Sequence, residues 1–228
     1  MFSRRQGGLG GTHDEPGLPR GRSGLPAETV RAAQRERLLR SVIAAVAETG
    51  FADVTVADIV RGARVSKAAF YAHFAGKEDC FLAATGTGRQ LMIDRVVAAG
   101  RHPLPPGGAH GQLRAGLRAF LEFLASEPAF TRAFYIWMPA VGDRAVARIE
   151  SAQHVFARLN QAWHEHARRD HPDWPDVPYQ AYFALAGATT ELVRAQVRHD
   201  SGESLTSLED TLMGLHLAVL AAEPWTAS

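Results

Sequence analysis

This sequence predicts an all-α fold of about nine helices, a reading carried by three observations. Apolar residues recur at three- and four-residue spacings, as in Leu38, Leu39, Val42, Ile43 and Val46. No apolar–polar alternation persists long enough for a sheet. Glycine, proline and capping residues divide the chain into helix-sized pieces.

The composition sets bounds. A chain of 228 residues makes one large domain or two small ones, and 46% apolar residues are ample for a core. The net charge of +1 hides an asymmetry. Residues 1–100 carry 14 Arg and Lys against 10 Asp and Glu, a balance of +4; residues 101–228 carry 11 against 14, a balance of −3. Cys80 is the single cysteine, which excludes an intramolecular disulfide and a multi-cysteine zinc site. There is no apolar run of about 18 residues to span a membrane. Arg4 and Arg5 are not followed by the apolar core of a signal peptide. A cytoplasmic protein is expected.

The elements follow in order. Residues 1–25 hold seven glycines and read as a disordered tail, in which Arg4, Arg5, Arg20 and Arg22 form either an inert segment or a basic arm. Pro26 suits a first helical turn, and Gly50 stops the helix that follows. A second helix starts at Thr55, whose spacing to Asp58 resembles a capping box, and runs to about Ala63. A third starts after Ser66 and ends near Phe74; a fourth runs from about Gly76 to Ala99. After the Pro/Gly-rich break at 101–108, helices are expected at 111–126, 128–138, 142–170, 178–199 and 205–222. The expected organisation is a tail over 1–25, a helix-turn-helix domain over 26–82 and a helical domain over 83–228.

The only two lysines, Lys67 and Lys77, fall inside this short-helix region, while the other 23 basic residues are arginine. Two short helices joined by a tight turn can place the second in a DNA major groove while the first crosses the backbone. Thr55 caps the first and Ser66 the second. The first turn of the second helix, Lys67, Ala68 and Ala69, has no acidic side chain to repel phosphate, and the alanines permit close approach to base edges. Phe70 and Phe74 face inward, the polar tips of Tyr71 and His73 reach towards phosphates, and Lys77 is expected to clamp the flanking backbone. Singly, each of these polar residues fits an ordinary cap or surface position; together they leave every outward position small or a donor.

Residues 37–82 resemble the DNA-binding region of the tetracycline-repressor (TetR) family. The resemblance rests on Leu38-Leu39 through Gly50-Phe51, Thr55-Val-Ala-Asp-Ile59, Val65-Ser-Lys67, Phe70-Tyr71 with His73-Phe74, and Lys77-Glu78. There are two departures. Arg64 stands where the family has glycine before the Val-Ser of the turn, which implies strain there or an added phosphate contact. Ala68-Ala69 replace the family's Gly-Thr or Gly-Ser, which implies a shifted operator preference.

The resemblance further implies a helical regulatory domain with a ligand pocket, and a dimer interface on the last two helices. Phe120, Phe123, Phe130, Phe134, Tyr135, Trp137 and Met138 crowd one stretch and serve a packed core as readily as a cavity. The candidate pocket is Phe120, Phe123, Tyr135, Trp137 and Met138, joined by His154 and Tyr182. The candidate dimer interface is Gly187 and Thr190 in a small-residue helix, with Leu208, Leu212 and Leu215 in the last one.

Other chemistry is sparse. His164 and His166 are two apart, so on a helix their imidazoles diverge, and Gly86-Thr-Gly88 lacks the spacing of a phosphate loop. No catalytic residues, metal or cofactor are expected. The expectation is a homodimeric regulator on palindromic double-stranded DNA, a repressor released by a small apolar effector and not an enzyme. The alternatives are a ligand-independent regulator governed by a protein partner, and an all-helical small-molecule-binding protein or enzyme.

Overall fold

A computed structural model describes residue 9 and residues 26–100, 107–200, 202 and 204–221. The expected 1–25 tail, apart from Leu9, lies outside the described residues, as does its basic arm. Among the described residues there are nine α-helices and no strand. They are α1 (Ala27–Thr49), α2 (Val56–Ala63), α3 (Lys67–Tyr71), α4 (Lys77–Ala99), α5 (Gly108–Ser126), α6 (Pro128–Arg132), α7 (Asp143–Ala167), α8 (Tyr179–Asp200) and α9 (Glu209–Leu220). Among them, no helix is long and apolar enough to cross a membrane.

Two compact units form. One contains α1–α3, α4 up to Gln90, and Ser126–Ala145; the other contains Leu91–Ala125 and the chain from Val146 onward.

In the first unit the apolar face of α1 buries Leu38, Val42, Ile43 and Val46, and Ile59, Phe70 and Phe81 are also fully buried. Burial of each such side chain contributes about 1.5–3 kcal/mol. Gly50 ends α1 with φ 90°, and its N–H donates to Val46 O at 2.9 Å. The last turn of α1 has no basic residue of its own. Arg132 supplies one from α6, its Nε donating to Ala47 O at 2.9 Å. Gly88 has a steric role: a Cβ there would stand 2.3 Å from the Phe130 ring.

The helix expected over 128–138 is broken. After α6, Ala133–Trp137 form a π-helical turn, with the Met138 N–H bonded to Ala133 O, and Met138–Ala140 form a 3-10 turn. Pro139 has no N–H and so cannot continue an α-helical ladder. The large side chains Phe134, Tyr135 and Trp137 sit on the widened turn.

The second unit is held by aromatic and ionic contacts. The Trp163 indole N–H donates to Ala109 O at 3.0 Å, and Trp174 packs with Ala109 and Ala167. His164 is fully buried with its Nδ1 2.9 Å from the Tyr182 hydroxyl. Arg114 and Arg118 of α5 converge on Glu209, at 2.7 and 2.8 Å, and Arg114 also reaches Asp210. These arginines hold the Glu209 carboxyl down to a pKa of about 2, hydrogen bonding from Arg118 being the largest cause.

Candidate nucleic-acid interface

The first helix of the motif starts with a capping box. The Thr55 Oγ accepts from the Asp58 N–H at 3.3 Å, and the Asp58 carboxylate accepts from the Thr55 N–H at 3.0 Å. The Thr55 hydroxyl also donates to that carboxylate, at 2.6 Å, and Arg61 closes on the other oxygen of Asp58. These bonds, Thr55's first, lower the Asp58 pKa. The proton of the Thr55 hydroxyl is therefore engaged within the chain. Of the first-turn backbone N–H groups that of Asp58 is taken by Thr55, which leaves those of Val56 and Ala57 without an intrahelical acceptor.

The turn to α3 runs through Arg64, which has φ 53° and ψ 45°. Arg64 is the one non-glycine residue with positive φ among those described. This is the conformation glycine adopts without cost, so the departure at this position is a genuine backbone one. The Ser66 Oγ then accepts from the Ala69 N–H at 3.1 Å and starts α3. Lys67, Ala68 and Tyr71 are exposed, Tyr71 at 57%, and Ala69 is half-buried. Phe70 is fully buried beneath them and Phe74 nearly so, their rings 5.8 Å apart. Lys67, Ala68 and Tyr71 thus stand outward over an aromatic anchor. His73 is half-buried, and burial, with Arg31 and Arg35, lowers its pKa. It therefore presents a neutral imidazole rather than a cation.

Lys77 differs from expectation. Its Nζ donates to Phe51 O at 2.8 Å, Ala52 O at 3.0 Å and Val54 O at 2.8 Å, and lies 4.6 Å from the Phe51 ring centroid. An ammonium group has three N–H donors, and all three are taken. A signal for this was present: a cation at the start of a helix opposes the macrodipole, and so calls for carbonyl oxygens from elsewhere.

The candidate pocket residues fall in both units. Phe120, Phe123 and Tyr182 are buried in the second, with Phe120 edge-on to Phe156 at 5.6 Å and Phe123 beneath the Arg95 guanidinium at 5.0 Å. His154, also there, pairs its Nδ1 with the Tyr179 hydroxyl at 2.7 Å. Tyr135 and Met138 are buried in the first unit, and Trp137 lies against Gly50, where a Cβ would be 3.2 Å from its ring. A groove of about 390 Å³ opens between α1 and α2, but Arg37, Glu48, Asp53, Asp58 and Arg61 on its walls do not suit an apolar ligand.

One dimer-interface residue is corrected. Leu212 is fully buried in its own unit and is not available to a partner. The outward side of α9 carries Thr211, Gly214, Ala218 and Val219 instead, while Leu208 and Leu215 are half-buried. Gly187 of α8 has open space where a Cβ would stand, and the Thr190 hydroxyl donates back to Ala186 O at 2.9 Å. Among the described residues no group of three or more His, Cys, Asp or Glu is placed to hold a metal ion.

Known proteins share this arrangement. Residues 39–84 match the family model of the bacterial regulatory proteins, tetR family. Among solved structures, the fatty acid degradation regulator FadR from Bacillus halodurans is similar with a TM-score of 0.72 at 16% identity, over 81% of this chain and 94% of that one. FadR from Bacillus subtilis, in complex with stearoyl-CoA, gives 0.70 at 15% identity, over 80% and 97%. A TetR-like transcriptional regulator from Rhodococcus sp. RHA1 gives 0.64 at 20%, over 85% and 97%. At these identities the structural likeness is one of fold. The tetR-family match itself covers the helix-turn-helix of residues 39–84, and the fold of the rest is shared with structures of that family. This fold, with the regulatory-protein match at the helix-turn-helix, supports DNA-binding transcriptional regulation.

Proposed function

We propose that this protein is a homodimeric transcriptional repressor that reads a palindromic operator through α3 and is released by a long apolar ligand. The observation that carries the DNA reading is the row of exposed Lys67, Ala68 and Tyr71, with half-buried Ala69, on the buried anchor Phe70. Ala68 and Ala69 permit contact with base edges, while Lys67 and the Tyr71 hydroxyl donate to phosphate. The small-residue outer faces of α8 and α9 support pairing of two copies, which would set two half-sites about one helical turn apart.

The ligand class rests on chemistry and on likeness. The similar structures include two regulators named for fatty acid degradation, one of them holding stearoyl-CoA. Here the buried indole N–H of Trp137 has no hydrogen-bond acceptor among the described residues, so it is free to meet a ligand oxygen. A long-chain acyl thioester is the class to test first.

The test is fluorescence anisotropy on the DNA upstream of the protein's own gene. Lys67→Ala and Tyr71→Phe each lose about 1–3 kcal/mol of binding, and affinity falls steeply with salt. Wild-type binding by Lys67→Ala ends the DNA reading. Unchanged operator affinity at saturating stearoyl-CoA, alongside intact DNA binding, favours control by a protein partner.

A further inference from the structure

We infer that Lys77 is a positioning residue and not a phosphate ligand: its ammonium group fixes the turn before α2 onto the first turn of α4, and so sets where the DNA-facing start of α2 stands. The inference rests on the DNA-binding reading above.

The geometry is specific. The three oxygens that receive Lys77 belong to Phe51, Ala52 and Val54, the residues between the end of α1 and the cap Thr55. All three distances lie between 2.8 and 3.0 Å, and the Phe51 ring adds a fourth side to the cradle at 4.6 Å. The Phe51 ring in turn packs on Phe81 of α4, with centroids 5.5 Å apart. One side chain of α4 thus restrains the whole turn that delivers Thr55. A phosphate contact would require the ammonium to give up at least one charge-assisted bond, each stronger than a neutral one. The next two residues of α4 are acidic, Glu78 and Asp79, and Arg144 lies 3.1 Å from the first. That acidic first turn disfavours a phosphate beside Lys77.

A phosphate ligand and a carbonyl cradle respond differently to arginine. Arginine keeps the charge and suits phosphate, but its planar fork cannot place three N–H groups on three oxygens that converge on one point. Operator binding of the full chain is measured across a salt series for wild type, Lys67→Ala, Lys77→Met and Lys77→Arg, below the melting temperature of each. Lys67→Ala is the phosphate control, and its salt slope falls by about one. Lys77→Met and Lys77→Arg both weaken binding by about tenfold or more, a shift of 1.4 kcal/mol, with the wild-type slope retained. Amide hydrogen exchange on the DNA-free protein then speeds at residues 53–58, with α3 unchanged.

Wild-type affinity in Lys77→Arg, or a slope lowered by about one in Lys77→Met, makes Lys77 a phosphate ligand and overturns the inference. Unchanged exchange at 53–58 overturns it too, whatever the DNA result. An unaffected Lys67→Ala defeats the DNA reading instead, and leaves the exchange arm to decide the cradle. If Lys77→Met fails to fold, Lys77→Arg carries both arms.

Discussion

Gly62 of α2 and Ser41 of α1 meet so closely that a Cβ on Gly62 would stand 2.4 Å from the Ser41 Oγ. That hydroxyl cannot swing away freely, because it donates to Ile59 O at 2.8 Å. The helices cross on the smallest residue available.

Gly62→Ala therefore sets opposing effects against each other. Alanine favours the helix by about 1 kcal/mol. The steric cost is about 1–3 kcal/mol, and losing the Ser41 bond adds about 1. A net loss of about 1–3 kcal/mol is expected from a urea midpoint. The double variant Ser41→Ala with Gly62→Ala regains it, since the Ser41 Cβ would lie 3.6 Å away, an ordinary contact. Wild-type stability of Gly62→Ala alone would contradict the close approach.

Arg64→Gly separates stability from binding. A left-handed non-glycine residue costs about 1–2 kcal/mol, and glycine returns about 0.4–1 of this as added freedom in the unfolded chain. The variant is expected to gain about 0.5–1 kcal/mol in thermal or urea unfolding. It also loses a cation next to Ser66, so operator affinity falls and the salt slope drops by about one. A variant that is less stable than wild type would show that the arginine side chain outweighs the backbone strain.

Two buried histidines make the second unit sensitive to mild acid. Burial lowers the pKa of both His164 and His216. The unfolded chain takes up these protons below a pH of about 6.5, while the fold resists them. Stability is thus complete above that pH and falls as the pH drops towards the lowered values, by up to about 1.4 kcal/mol per pH unit for each histidine. Asp200 and Glu209, both lowered to about 2, contribute their loss only at lower pH, below the ordinary carboxylate range. Urea midpoints at pH 7.5 and 5.5 check this: the midpoint should fall in wild type and flatten in His164→Gln with His216→Gln. Equal wild-type midpoints would rule it out.

What is legible in a sequence is chemistry that acts locally. Thr55 with Asp58, Ser66 with Ala69, and Gly50 after Val46 each complete a bond within four residues, so spacing alone reveals the helix ends. The inward Phe70 and outward Tyr71 follow from helical period. Lys77 is less legible because its acceptors lie 23 to 26 residues earlier, and only the fold brings them to it. Leu212 reads as interface or core alike, since an apolar stripe does not say which neighbour covers it. The π turn at Ala133–Trp137 is hidden for a similar reason: its residues suit an ordinary helix, and Pro139 shows only where that helix must fail.

Cys80 lies three residues beyond Lys77 on the same turn of α4, fully buried, with its Sγ 3.8 Å from Leu38 O. Burial pushes its thiol up to about 12, so almost no thiolate exists while the fold is closed. The chain thus carries a built-in clock. A thiol reagent reacts only during the moments when α1 and α4 part, and its rate counts those openings. Operator DNA slows the clock only to the extent that holding DNA and holding this turn shut are the same event.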